Sequence, residues 1–171
     1  ALQAALNPPK PGKQERRFGE LVFREGDRVM QTRNDYDVVW QKEDGTAGTG
    51  IFNGDVGKIA KIDPSGELLE IVFDDRTATY TSDMLAELDM AYAMTVHKAQ
   101  GSEYRGVVFV GAPCAPSLMV RGVLYTAITR ARELLVIVGD DSAVNKMAEN
   151  DRRSRRYSGL KWRVRKGGGE K

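Results

Sequence analysis

The chain has 171 residues, 41% hydrophobic and 29% charged, a balance that excludes wholesale disorder and fits one ordinary domain with room for a small insertion. No run approaches the ~20 apolar residues of a membrane-crossing helix, and one cysteine (Cys114) with one histidine (His97) excludes a disulfide framework or a Cys/His zinc site and points to a reduced, cytoplasmic protein. The net charge of +2 is segregated: residues 1–24 carry five basic and two acidic groups, residues 25–150 carry 12 and 20, and residues 151–171 carry nine and two.

In chain order, residues 1–6 read as the end of a helix that Asn7-Pro8-Pro9 stops. Arg28–Gln31 predicts a short strand, and residues 41–50, rich in glycine and polar groups, a flexible loop. From Gly54 to about Leu88 the spacing is that of small antiparallel strands. Val56–Ile62, Leu68–Phe73 and Ala78–Thr81 are the β-rich runs, with turns at Pro64-Ser65-Gly66 and Asp74-Asp75-Arg76. Such a segment suits a small SH3-like barrel with little core of its own.

After Asp89 the pattern changes. Ala91–Thr95 and Val107–Val110 read as strands, Val123–Ala131 as a helix, Leu134–Val138 as a buried apolar strand and Ser142–Glu149 as a capped helix. Apolar strands alternating with helices are the signature of a parallel sheet covered on both faces. The expected architecture is therefore α/β: residues 1–53 and 90–150 form a layered parallel-sheet domain, 54–89 a small β insertion, and 151–171 a basic tail. Lys and Arg in that tail, with Tyr157 and Trp162 among them, suit a nucleic acid; a solvated, frayed terminus is the other reading. Because the chain begins at Ala1 rather than Met, it also reads as a piece of something longer.

Two apolar runs that end in acids imitate a Mg²⁺-holding strand. Residues 71–75 run into Arg76 and another β stretch, which predicts a hairpin turn. Residues 136–141 are explained as well by a strand end and a helix cap. No G-x-x-x-x-G-K-[ST] phosphate loop occurs.

Two segments carry more chemistry. Residues 93–104, AMTVHKAQGSEY, bunch a hydroxyl, an imidazole, an ammonium, an amide, a glycine and a carboxylate in one turn. Gly101 permits close approach of a phosphate, and Glu103 can accept ribose hydroxyl protons. Taken singly, His97 also fits a structural histidine and Lys98 a solvated surface group. In residues 123–132, VLYTAITRAR, a helix would put Thr126 and Arg130 on one face, so that neighbours hold Arg130 and aim it outwards. A guanidinium fork suits a terminal phosphate whose charge grows during transfer. A helix-end arginine near the negative dipole end is the alternative.

These two segments resemble motifs V and VI of superfamily 1 DNA helicases, and the H-K-x-Q-G form resembles the 5′→3′ branch that includes RecD-like, Pif1-like and relaxase-helicase proteins. Residues 26–31 (GDRVMQ), Asn34-Asp35-Tyr36 and residues 52–57 (FNGDVG) resemble the RecD family, the alpha subunit of exodeoxyribonuclease V and its stand-alone relatives. The resemblance implies a second RecA-like motor domain with an SH3-like insertion. It implies that Arg130 is an arginine finger, and that Gly101, Gln100 and Glu103 lie near the nucleotide with it. It further implies that Thr95, His97 and Lys98 face single-stranded DNA. ATP and Mg²⁺ are then the cofactors. The phosphate loop and metal ligands belong to a first RecA-like domain outside the chain, and nuclease or helicase subunits are possible partners. The competing expectation is a binding module, barrel plus basic tail, without motor activity.

Overall fold

The computed structural model describes residues 1–152; the tail from 153, with Tyr157 and Trp162, lies outside the described residues. The chain divides into two compact units, Ala1–Lys98 and the residues from Ala99 onwards. Among the described residues, no helix is long and apolar enough to cross a membrane.

The first unit opens with α1 (Leu2–Leu6) and a hairpin of β1 (Glu15–Phe18) and β2 (Leu21–Arg24). Seven further strands form one antiparallel sheet, in the order β5-β4-β8-β7-β6-β3-β9. They are β3 (Arg28–Gln31), β4 (Asp35–Gln41), β5 (Ala47–Ile51), β6 (Val56–Ile62), β7 (Leu68–Phe73), β8 (Arg76–Thr81) and β9 (Leu88–Met90). Residues 28–51, expected with the parallel-sheet domain, thus hydrogen-bond into the same sheet as residues 56–81.

Alternation builds the core of this sheet. On β7, Leu69, Ile71 and Phe73 are buried while Leu68 and Glu70 face out. On β6, a bulge between Ile59 and Lys61 resets the phase, so that Ile59 and Ile62 both point inwards. Val29, Val38, Ile51, Ala78 and Tyr80 close the cluster. Each fully buried side chain of this size contributes about 1.5–3 kcal/mol relative to exposure. The Tyr80 hydroxyl donates to Gln31 Oε1 at 3.0 Å, and Gln31 donates in turn to Glu87 at 2.9 Å, so the buried amide is satisfied.

The predicted hairpins form. Asp63 Oδ1 accepts from Leu68 N at 2.8 Å and closes the β6–β7 turn, with Gly66 at φ +73°. Phe73 pairs with Arg76 across Asp74-Asp75, and Asp74 takes φ +52°. The loop expected over residues 41–50 is instead the β4–β5 hairpin. Its turn is held by Lys42 N to Thr46 O at 2.8 Å and by Thr46 N to Asp44 Oδ1 at 2.8 Å. Glycines hid this strand because they are poor strand formers; Gly48 is needed because a Cβ there would stand 2.4 Å from the Trp40 ring. The strand expected over residues 91–95 is absent. Ala91 N donates to Arg28 O at 2.8 Å, and the residues that follow form bends and turns rather than a strand.

The second unit holds β10 (Tyr104–Gly111), α2 (Arg121–Ile128), β11 (Ala131–Gly139) and α3 (Asp141–Glu149). β10 and β11 pair in parallel, Val107 opposite Leu135 and Phe109 opposite Ile137, as the βαβ pattern requires. Asp140 caps α3 by accepting from Ser142 N at 2.8 Å. α2 packs on α3 with Leu124, Ala127, Ala143 and Met147 buried. The burial expected for Leu134–Val138 is not found: Leu134 is 60%, Ile137 45% and Val138 51% exposed. The sheet of this unit has only two strands among the described residues, too few to cover its own faces.

Candidate functional site

The seven singled-out residues fall in both units. In the first, Thr95, His97 and Lys98 occupy the irregular segment after β9. Thr95 Oγ1 accepts from Lys98 N at 3.3 Å and closes a turn, leaving His97 exposed. Lys98 Nζ lies 3.3 Å from Asp89 Oδ2, both partly exposed, so its ammonium is shared with a carboxylate rather than free. Thr95 and Lys98 rim a cavity of about 250 Å³ whose apolar wall includes Met30, Met90 and Met94.

In the second unit, Ser102 N donates to Ala99 O at 3.3 Å, and Gly101 stands at φ +85° with nothing within 4 Å of a Cβ placed on it. A turn whose third residue has positive φ asks for glycine, and the open space leaves the backbone approachable. Gln100 is exposed beside it. Glu103 is not free: its Oε2 accepts from Arg132 Nε at 2.6 Å, with both side chains half-exposed or more.

Arg130 lies two residues beyond the end of α2, not on the helix as expected. The i−4 relation to Thr126 survives through the backbone: Arg130 Nε donates to Thr126 O at 3.1 Å, while the Thr126 hydroxyl donates to Gly122 O at 2.8 Å. Arg130 Nη1 donates to Ser102 O at 2.8 Å and Nη2 to Thr129 Oγ1 at 3.2 Å. All three acceptors are neutral, so the fork is fixed in place with no ion pair to it among the described residues. Tyr104 N donates to Arg130 O at 2.8 Å, which ties the two motif segments together.

This meeting follows from the parallel register. Tyr104 opposes Ala131, so the residues just before β10 and just before β11 come to the same end of the pair. That is how Ser102 and Glu103 reach Arg130 and Arg132. The Ser102 carbonyl and the Glu103–Arg132 pair carried no sequence signal; only the βαβ reading, taken to the level of register, would have found them. Sequence reasoning also missed buried Asp27 in the first unit. Its oxygens accept from Gln3 Nε2 at 2.6 Å, Asn7 Nδ2 at 2.6 Å, Arg24 N at 2.8 Å and Tyr92 Oη at 2.7 Å. Among the described residues, no three His, Cys, Asp or Glu side chains cluster as metal ligands.

Two family models match the chain in succession. One, described as the ATP-dependent RecD-like DNA helicase SH3 domain, covers residues 1–73; the other, the UvrD-like helicase C-terminal domain, covers residues 90–138. The ATP-dependent RecD2 DNA helicase of Deinococcus radiodurans is 36% identical over 154 residues, 90% of this chain and 19% of that protein. The RecBCD enzyme subunit RecD of Mycolicibacterium smegmatis is 31% identical over 143 residues, 84% of this chain and 23% of that protein. The chain therefore spans about a fifth of the length of these curated relatives.

Among solved structures, Bacteroides Pif1 bound to single-stranded DNA matches with a TM-score of 0.54 and 18% identity, covering 98% of this chain and 43% of that one. A Bacteroides Pif1 helicase in complex with ADP-AlF3 and single-stranded DNA matches at 0.52 and 19%, covering 98% and 42%. At this identity the likeness establishes the fold, a RecA-like α/β part with an SH3-like part. With both family models in order along it and RecD proteins matching most of its length, the chain belongs to the RecD-like family of superfamily 1 helicases.

Proposed function

We propose that the chain is the C-terminal part of an ATP-driven 5′→3′ DNA helicase and that Arg130 is its arginine finger. The observation that carries this reading is the state of Arg130: a guanidinium held by Thr126 O, Ser102 O and Thr129 Oγ1, with no carboxylate on it among the described residues. Such a fork exchanges a neutral carbonyl for a phosphate oxygen at little cost, because its charge is not already neutralised.

In the longer protein, ATP lies between two RecA-like domains. Arg130 reaches the γ-phosphate and stabilises the charge that develops on it as the bond to the leaving group breaks. Magnesium, held by acids of the first domain, neutralises phosphate charge when bound. The turn at Gly101 offers backbone to the nucleotide. Because Ser102 O is both the acceptor of Arg130 and the neighbour of this turn, release of Arg130 towards phosphate also frees the turn. Thr95, His97 and Lys98 contact single-stranded DNA, and the coupling of the two motifs through Ser102 and Tyr104 makes each cycle of ATP binding and hydrolysis a step along the strand. The sheet of residues 28–90 is the SH3-like part and the second unit the RecA-like part of this machine.

Two further observations support a missing complement. The chain has no phosphate loop, and β10 and β11 expose Val108, Val110, Leu134 and Val138. An apolar parallel pair of this kind belongs inside a larger sheet whose other strands come from the rest of the polypeptide.

The test is Arg130→Ala in the full-length protein. ATP turnover falls about 10³–10⁵-fold, the usual worth of such an arginine, while nucleotide binding persists. The chain by itself hydrolyses no ATP. Near-normal turnover in the variant rejects the assignment.

A further inference from the structure

The first unit carries a cleft of about 660 Å³ that the motor reading does not use. Lys13, Arg28 and Lys58 line it together with Asn7, Tyr92 and Asp74. Its neutral side-chain donors are already spent: Asn7 Nδ2 donates to Asp27 at 2.6 Å and to Glu25 O at 3.1 Å, and Tyr92 Oη donates to Asp27 at 2.7 Å. What remains available to a ligand is cationic.

The placement of the cations is not the one stability would choose. Arg28 and Lys58 are direct partners across the antiparallel β3–β6 ladder, so their side chains leave the sheet on the same face. Neither makes an ion pair among the described residues. Like charges directly opposed on a ladder destabilise it, and an acid at either position would reverse the sign. Their neighbours Val29 and Ile59 are fully buried, so the fold itself is secured elsewhere on these strands. Lys13 adds a third cation. It donates to Asn7 Oδ1, and Asn7 is in turn fixed on buried Asp27, so this lysine is aimed by the interior rather than left to solvent. Among the described residues, Asp74 is the one carboxylate on the lining.

We propose that this cleft binds phosphate groups of a nucleic-acid strand, as a subsite on the SH3-like unit additional to Thr95, His97 and Lys98. Three ammonium or guanidinium groups converging on open space suit the oxygens of successive phosphodiesters, and binding relieves the repulsion between Arg28 and Lys58. The source of the phosphate, a strand rather than a free phosphate compound, rests on the helicase reading; the cleft does not.

The experiment titrates the full 171-residue chain into labelled oligothymidylate by fluorescence anisotropy at several salt concentrations, with inorganic phosphate and ATP as competitors. R28Q and K58Q each weaken binding several-fold and flatten the salt dependence by about 0.7 in slope per cation removed. Because a repulsion is removed, neither lowers Tm, and K58Q raises it. K61Q, on the same strand but outside the cleft, keeps the parent affinity and slope. Unchanged slope in the R28Q/K58Q double variant, or equal loss in K61Q, overturns the site. Loss of binding that tracks a fall in Tm overturns it as well. Displacement of the oligonucleotide by phosphate or ATP that R28Q abolishes reassigns the cleft to a free phosphate compound and overturns the strand. These outcomes are independent of turnover in the Arg130→Ala protein, so failure of the cleft and failure of the motor reading are distinguishable.

Discussion

Tyr92 donates its hydroxyl hydrogen to Asp27 Oδ1 at 2.7 Å, and so fastens the segment that follows β9 to a carboxylate with no solvent exposure. The same carboxylate takes Gln3 and Asn7 from the N-terminal helix region and Arg24 N from the end of β2. Three separate stretches of chain therefore meet on one side chain. Asp27→Ala leaves these donors without an acceptor, each unmet buried donor costing about 1–3 kcal/mol. Some will reach water, so the expected loss is about 3–5 kcal/mol in urea unfolding, close to that for breaking a buried ionic contact. Tyr92→Phe removes one bond to a charged group and is expected to cost about 1.5–3 kcal/mol. A Tyr92→Phe protein as stable as its parent would mean that the segment is held by its backbone alone.

The same contact sets a pH response. Burial, then the hydrogen bond to Asp27, pushes the Tyr92 phenol from its ordinary 10.0 up to about 12. Between these values the unfolded chain has released this proton and the folded chain still holds it. Stability from this group is thus complete below pH 10 and is lost as pH rises through about 12. Burial raises Tyr80 in the same direction, so the parent retains a slope from both. Thermal or urea unfolding across this range is expected to show a shallower decline in Tyr92→Phe than in the parent, and parallel curves would refute the link.

Local chemistry was legible; placement was not. Asp74-Asp75 could be read as a hairpin and Asp140 as a cap because each effect is complete within a few residues. The parallel pairing of β10 and β11 followed from their apolar runs and the helix between them. The exposure of Leu134 and Ile137 did not, because apolar content says what a strand needs and not whether its cover is present among the described residues. At the site, Arg130 was legible as a fork but was placed on a helix that stops at Ile128. The Asp27 cluster had no signature, since Gln3, Asn7 and Tyr92 are far apart in sequence and each is an ordinary polar residue.

β5 makes the same point in testable form. Gly48 and Gly45 look alike in sequence, yet they answer different demands. A Cβ at Gly48 would stand 2.4 Å from Trp40, whereas at Gly45 nothing lies within 4 Å and only its φ of +84° objects. Gly48→Ala forces the indole aside and is expected to cost about 1–3 kcal/mol, as overpacking does. Gly45→Ala is expected to cost about 1 kcal/mol of left-handed strain. Urea midpoints rank the two, and a larger loss at Gly45 would mean that Trp40 yields freely.

The exposed parallel pair separates this chain from the longer protein inferred for it. Ile137, 45% exposed on β11, keeps nearly half of its surface in solvent here. Ile137→Lys should therefore change the stability of this chain by no more than about 0.5 kcal/mol, as a surface substitution does. If a longer protein completes this sheet as proposed, further strands and helices cover the same face, and the ammonium would be buried without a partner. There the cost rises to several kcal/mol, enough to lower the yield of folded protein. Urea unfolding of both proteins decides the matter by difference. A large effect only in the longer protein means that the face is completed from outside this chain. A small effect in both means that β10 and β11 stay open to water, and that the RecA-like sheet ends where this chain ends it.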